Sequence, residues 1–201
     1  MKARTISVLI FDEVEVLDFA GPFEVFGVAR SADDAPLFTV HTVAETAAPV
    51  RACNGLTLTP AHAFASAPAA DILVIPGGYG TRSLLNRPAT IDWIRHAAGN
   101  AEIIASVCTG ALLLAKAGLL AGQRATTHYL RFDLLRQLEP TAQIAEDVRF
   151  TDNGRLLTAA GISAGIDLSL HLVARLHGTD TARQTAAYME YHWTNDGGAR
   201  R

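Results

Sequence analysis

The stretch IIASVCTGALLL, residues 103–114, decides how the rest of the chain is read. An apolar, partly β-branched run from Ile103 to Val107 stops at Cys108. Thr109-Gly110 then opens a run of strong helix formers: Ala111, Leu112, Leu113, Leu114 and Ala115. This pattern predicts a buried strand, a sharp turn and a helix, with Cys108 at the corner. A side chain there sits at the carboxyl end of a strand and beside the unpaired N–H groups of a helix start, whose partial positive charge favours an anion. Helix N-termini lower the pKa of a cysteine, and the thiolate is its nucleophilic form. The same window also admits a plainer reading, because a free cysteine among apolar residues is by default a small core hydrophobe.

Working outward, further strands alternate with helices. Residues 5–10 form an apolar strand and 11–16 a polar loop. A helix is predicted over 17–30, with Phe19, Phe23 and Phe26 at helical spacing and Gly21-Pro22 near its start, where Pro costs no hydrogen bond. Residues 37–43 read as a second strand. Residues 50–53 and 56–59 flank Asn54-Gly55, a strong hairpin signal. The run DILVI, 71–75, is a buried strand ending in Pro76-Gly77-Gly78-Tyr79-Gly80. A helix over 88–98 leads back to the strand before Cys108. Beyond it come a helix ending near Gly118, a short strand over 124–127 reaching His128, and a helix over 129–138 closed by Pro140. A second hairpin, 148–151 with 155–159, turns at Asp152-Asn153-Gly154. A long helix over 163–177 has Ser163 as a cap, and a last helix covers 179–191.

Fully apolar strands alternating with helices imply an α/β fold with a mostly parallel central sheet covered on both faces. Ligands of such sheets bind outside the carboxyl ends of the strands. Asp18 follows the first strand, Gly77-Gly78 the DILVI strand, and Cys108 the strand of the opening stretch. All three are therefore predicted to converge on one rim.

At 201 residues, 49% of them hydrophobic and 18% charged, the chain has room for one sizeable core, and residues 1–193 are expected to form a single domain. Residues 194–201, ending in Arg200-Arg201, are expected to be a disordered tail, with fraying from Trp193 onward. The net charge of −3, with both signs interspersed, gives no footprint for nucleic acid or an anionic membrane. Lys2 and Arg4 before a short apolar run echo a signal peptide, but the run is too short and Asp12-Glu13 follow at once. No apolar run approaches the roughly 20 residues that span a bilayer, so a cytoplasmic protein is expected. The two cysteines, Cys53 and Cys108, form no CxxC, and a reduced compartment is the simpler assumption for them. The seven histidines show no metal-binding spacing, so no metal or other cofactor is expected.

The segments LDFAGPFEVF (17–26), VIPGGYG (74–80), ASVCTGALLLAKAGLLAG (105–122), RATTHY (124–129) and LLTAAGISAGID (156–167) resemble the DJ-1/PfpI superfamily, whose domain is of the class I glutamine amidotransferase-like kind. Within it the pattern is most similar to isocyanide hydratases, although the amidase-like domains of some transcription regulators share the LD-AGP and CTGA patterns. The resemblance covers nearly the whole chain in order. It implies a flavodoxin-like three-layer sandwich, a homodimer, a nucleophilic cysteine at Cys108 and an acidic partner at Asp18. Many superfamily members carry Glu at the acidic position, and isocyanide hydratases carry Asp, as this chain does.

A small-molecule substrate is therefore expected, an isocyanide hydrated to an N-formamide. Cys108 would attack the isocyanide carbon to form a thioimidate, and Asp18 would manage the protons, its pKa raised by the neighbouring thiolate. The N–H groups of Gly78 and Thr109 are candidates for an anion hole, with Gly77-Gly78 letting backbone come close. His128 and Thr127 are candidate pocket residues, and Glu24 a supporting acid. Each has a bland alternative: Pro76-Gly77-Gly78 as an ordinary turn, Asp18 as a helix-start acid, Glu24 as a solvated face residue and His128 as a hydrogen-bonded structural histidine. Cys53 is read as structural, and Tyr188, Tyr191 and Trp193 as packing residues. Two rival functions stand beside the hydratase. One is a glyoxalase-like or peptidase activity with His128 as base. The other is a ligand or redox sensor, although no helix-turn-helix segment follows within the 201 residues.

Overall fold

The computed structural model describes residues 3–194, so the expected disordered end falls almost wholly outside the described residues. The chain runs β1 (Arg4–Leu9), α1 (Val16–Val28), β2 (Phe38–Ala44), β3 (Val50–Arg51), β4 (Thr57–Leu58), β5 (His62–Ala63), β6 (Ile72–Ile75), α2 (Thr81–Leu84) and α3 (Pro88–Asn100). It continues with β7 (Ile103–Val107), α4 (Gly110–Lys116), β8 (Arg124–Ala125), α5 (Phe132–Leu138), β9 (Gln143–Ile144), β10 (Phe150–Asp152), β11 (Leu156–Ala159), α6 (Ala164–His177) and α7 (Thr179–Tyr188). Seven strands make one sheet in the order β10-β11-β7-β6-β1-β2-β5. Every neighbouring pair is parallel except β10 with β11, the hairpin turning at Asp152-Asn153-Gly154.

Helices α1, α6 and α7 pack together on one face, while α2, α3, α4 and α5 pack on the other. The result is the flavodoxin-like three-layer sandwich that the alternation of elements implies. Strands β6 and β7 can be apolar at every position but Ser106 because helices cover both their faces: Ile72, Leu73, Val74, Ile75, Ile103, Ile104 and Val107 are all 1% exposed or less. Each such side chain contributes about 1.5–3 kcal/mol by leaving water. Both cysteines are free, and among the described residues no helix is long and apolar enough to cross a membrane.

Several local expectations need correction. Pro22 lies well inside α1 rather than at its first turn, so it supplies no N–H to the Asp18 carbonyl four residues back. Ser163 precedes α6 but does not cap it; its hydroxyl accepts instead from Arg149. The strand expected over 124–127 is shorter and pairs only with β9, in a ribbon apart from the main sheet. Residues 129–138 split into a tight turn, Tyr129–Arg131, followed by α5. The last helix ends at Tyr188, with Glu190 in a left-handed conformation just beyond it. The very short β5 and α2, which carry little periodic signal, had no counterpart in the sequence pattern.

Candidate active site

At Cys108 the backbone leaves β7 and must reverse into α4 within two residues. It does so by placing Cys108 itself at φ 57°, a left-handed conformation that costs a non-glycine residue roughly 1–2 kcal/mol. That strain is held from both sides. The Cys108 N–H donates to the Ala160 carbonyl at 2.8 Å, and its own carbonyl accepts from the Thr127 hydroxyl at 2.8 Å. Gly110 is required next, because a Cβ there would collide with the carbonyl oxygen of Ile75 at the end of β6.

Asp18 enters from the first turn of α1 and is fully buried. Its Oδ2 accepts from the Gly77 N–H at 3.0 Å, while Oδ1 has no partner at full hydrogen-bond geometry. The Cys108 thiol and the Ile162 N–H lie near enough to act on the carboxyl. Gly77 is needed for this approach: a Cβ at that position would fall 2.5 Å from the Thr109 nitrogen and 2.9 Å from the Asp18 carboxyl. Thus three strand ends deliver their residues to one point, as the topology requires.

Proton affinities follow from that burial. Desolvation lifts Asp18 to about 7; the Gly77 N–H and the thiol oppose the rise, and Glu15 adds to it. Desolvation and the Asp18 charge lift Cys108 to about 12, while the N–H groups of Thr109 and Ile162 pull the other way. The expected lowering of the thiol by the helix start is therefore overturned. Thr109 does favour the anion, but α4 is only seven residues long, and burial beside a carboxylate outweighs it. The rise of Asp18 agrees in direction with the expectation, but its largest cause is burial rather than repulsion by a thiolate. The two groups titrate as a pair, and between the two steps they hold one proton and one negative charge.

The thiol faces a cleft of about 310 Å³ lined by Gly78, Thr109, Glu15 and His128 and by the exposed Ile162. The exposed Tyr79, Arg82, Tyr129 and Leu130 and the half-buried Arg131 line it as well. Of the remaining expected residues, Gly78 lines the cleft, but its N–H donates to the Thr109 hydroxyl at 2.9 Å and is not free to receive an anion. The Thr109 N–H faces the sulfur. Thr127 is fully buried and acts on the Cys108 carbonyl, not on the cleft. His128 does border the cleft, with Nδ1 accepting from the Leu130 N–H at 3.3 Å and its ring against Gly161 and Tyr129.

Glu24 is exposed on α1 and lines no part of the cleft, because it lies on the solvent side of the helix that buries Asp18. The acid that does line it is Glu15, which precedes α1. Ile162, Glu15, Arg82 and Arg131 were not singled out from the sequence. Ile162 follows the end of β11, so the rule that ligands bind at strand carboxyl ends would have found it. Its φ of 51°, unusual for a β-branched residue, aims its N–H at the sulfur and the carboxyl.

Residues 4–175 match the DJ-1/PfpI family. The chain belongs to that family. Among its DJ-1/PfpI relatives, an isonitrile hydratase of Pseudomonas putida is 40% identical, over 94% of this chain and 79% of its own length. The HTH-type transcriptional regulator CdhR of Pseudomonas aeruginosa is 30% identical over 89% of this chain, which spans only about half (52%) of that regulator. A ThiJ/PfpI family protein of Pseudomonas syringae superposes with a TM-score of 0.86 at 30% identity, covering 95% of this chain and 76% of its own. Drosophila melanogaster DJ-1beta shares the fold at a TM-score of 0.82 and 18% identity, over 95% of this chain and all of its own.

Proposed function

We propose that the protein hydrates isocyanides to N-formamides, with Cys108 as nucleophile and Asp18 as the group that carries protons. The observation that carries the reading is a fully buried carboxyl set against the thiol of a strained cysteine at the bottom of an open cleft. The 40% identity to an isonitrile hydratase supports it.

Between about pH 7 and 12 the pair holds one proton, mostly on the sulfur, and the reactive arrangement is the tautomer in which that proton has passed to Asp18, a thiolate beside a carboxylic acid. The sulfur attacks the isocyanide carbon as Asp18 delivers its proton to that carbon, forming the S–C bond of a thioimidate, Cys–S–CH=N–R. Asp18, now a carboxylate, takes a proton from water as the hydroxide adds to the same carbon, and returns that proton to the nitrogen. The C–S bond then breaks, the thiolate leaves, and the hydroxyl proton passes to Asp18. The product is R–NH–CHO, and the pair regains its single proton. The N–H groups of Thr109 and Ile162 stabilise the sulfur anion at the start and end of the cycle.

The test is incubation of the purified protein with phenyl isocyanide and detection of N-phenylformamide. Turnover is expected in the wild type, with a loss on the order of 10⁴-fold in Cys108→Ala. Absence of formamide from the wild type, or a substantial rate in Cys108→Ala, overturns the reading.

A further inference from the structure

The cleft has a charge gradient that phenyl isocyanide does not use. At its inner end lie the Cys108–Asp18 pair and Glu15, which together are negative. The exposed Arg82 and the half-buried Arg131 line the same cleft. Among the described residues neither arginine has a carboxylate within ion-pair distance, a state they share with Arg30, Arg51, Arg124 and Arg155, none of which lines the cleft. Arg82 stacks on the Tyr79 ring with its guanidinium carbon 4.9 Å from the ring centre, and Arg131 gives one N–H to the Leu130 carbonyl at 2.9 Å. Both guanidinium groups are thereby oriented while keeping most of their five donors unspent.

Resting on the hydratase reading, we propose that the isocyanide taken by this cleft carries a carboxylate, held by Arg82 and Arg131. A guanidinium fork matches a carboxylate in shape and charge. At about 310 Å³ the cleft lies at the small end of ligand pockets, which suits a single ring or short chain and leaves little room for a nucleotide or peptide. The gradient also sets orientation. Glu15 and the ionised pair repel the carboxylate from the inner end, so the isocyano group, which carries no net charge, is the end that meets the sulfur. A neutral substrate carries no net charge by which the arginines could hold it this way round.

The experiment compares kcat/KM for 4-isocyanobenzoate with that for 4-isocyanotoluene, which replaces the carboxylate by a methyl group, using the full chain. The expected ratio favours the carboxylate by about tenfold or more, the effect of one charge-assisted hydrogen bond of roughly 1.5 kcal/mol. In Arg131→Gln and Arg82→Gln the ratio is expected to fall toward one. It also falls in the wild type when salt is raised, because the rim charges are screened, and that readout needs no variant to fold. Turnover of both compounds at equal rates, or a preference for the methyl compound, overturns the proposal and leaves the hydratase reading standing. Formamide from neither compound overturns both.

Discussion

Cys53 and Cys108 are buried to nearly the same extent, 4% and 6% exposed, yet their surroundings differ in every respect that matters for reactivity. Cys53 sits in the turn between β3 and β4, where its N–H donates to the Val14 carbonyl at 2.9 Å and its sulfur to the Glu13 carbonyl at 3.2 Å. The left-handed position in that turn is taken by the next residue, Asn54, at φ 62°, a residue type that accepts it at little cost. At the end of β7 the cysteine itself occupies the left-handed position, its sulfur opens onto a cleft, and its neighbour is a carboxyl that lacks a full set of partners. Cys53 secures the loop that leads into α1; Cys108 is exposed to whatever enters the cleft. Burial alone, the property a sequence most readily suggests for a cysteine, does not separate the two.

The contrast breaks most sharply at Asp18. Asp18→Asn keeps an acceptor for the Gly77 N–H but cannot deliver or take up the proton, so formamide production is expected to fall by about 10²–10⁴-fold with the fold retained. A rate within a few-fold of wild type, measured alongside an unchanged circular dichroism spectrum, would make the two cysteines equivalent in all but access. The second effect concerns stability. With Asp18 at about 7 in the folded state and 3.8 as its ordinary value, the folded protein holds more protons than the unfolded chain between those values. Stability is therefore fullest below about pH 4 as far as this group is concerned and falls as pH rises through about 7, by on the order of 4 kcal/mol. Denaturant titrations across that range are expected to show this decline in the wild type and a much flatter profile in Asp18→Asn; parallel profiles would remove the burial argument. The smallest effect lies at the hairpin. Cys53→Ala is expected to cost about 1 kcal/mol in chemical denaturation through its lost hydrogen bond and contacts, with turnover within about twofold of wild type. A collapse of turnover there would mean that the loop carrying Glu15 needs its sulfur anchor.

Most of the architecture was legible because its signals are local. The largely apolar runs at 71–75 and 103–107, the Asn54-Gly55 and Asp152-Asn153-Gly154 turns, and the three residues at strand ends are all visible in the sequence, and they lie where parallel α/β topology places them. The errors cluster where a side chain's environment comes from elsewhere in the chain. Glu24 and Glu15 flank Asp18 in sequence, and only the packing of α1 against α6 tells which faces solvent and which the cleft. Thr127 and His128 are adjacent, yet one is sealed against the Cys108 backbone and the other borders the cleft.

Sequence alone determined the alternation of strands and helices, the corner at Cys108 and the convergence of Asp18, Gly77 and Cys108 on one rim, because periodicity and turn chemistry act over a few residues. Tertiary structure decided the proton affinities of the pair, the commitment of the Gly78 N–H to Thr109, the approach of Ile162 and the arginines that line the cleft. Those depend on desolvation and on contacts between segments up to 144 positions apart, as Asp18 and Ile162 are. No local pattern encodes how much water such a meeting point excludes.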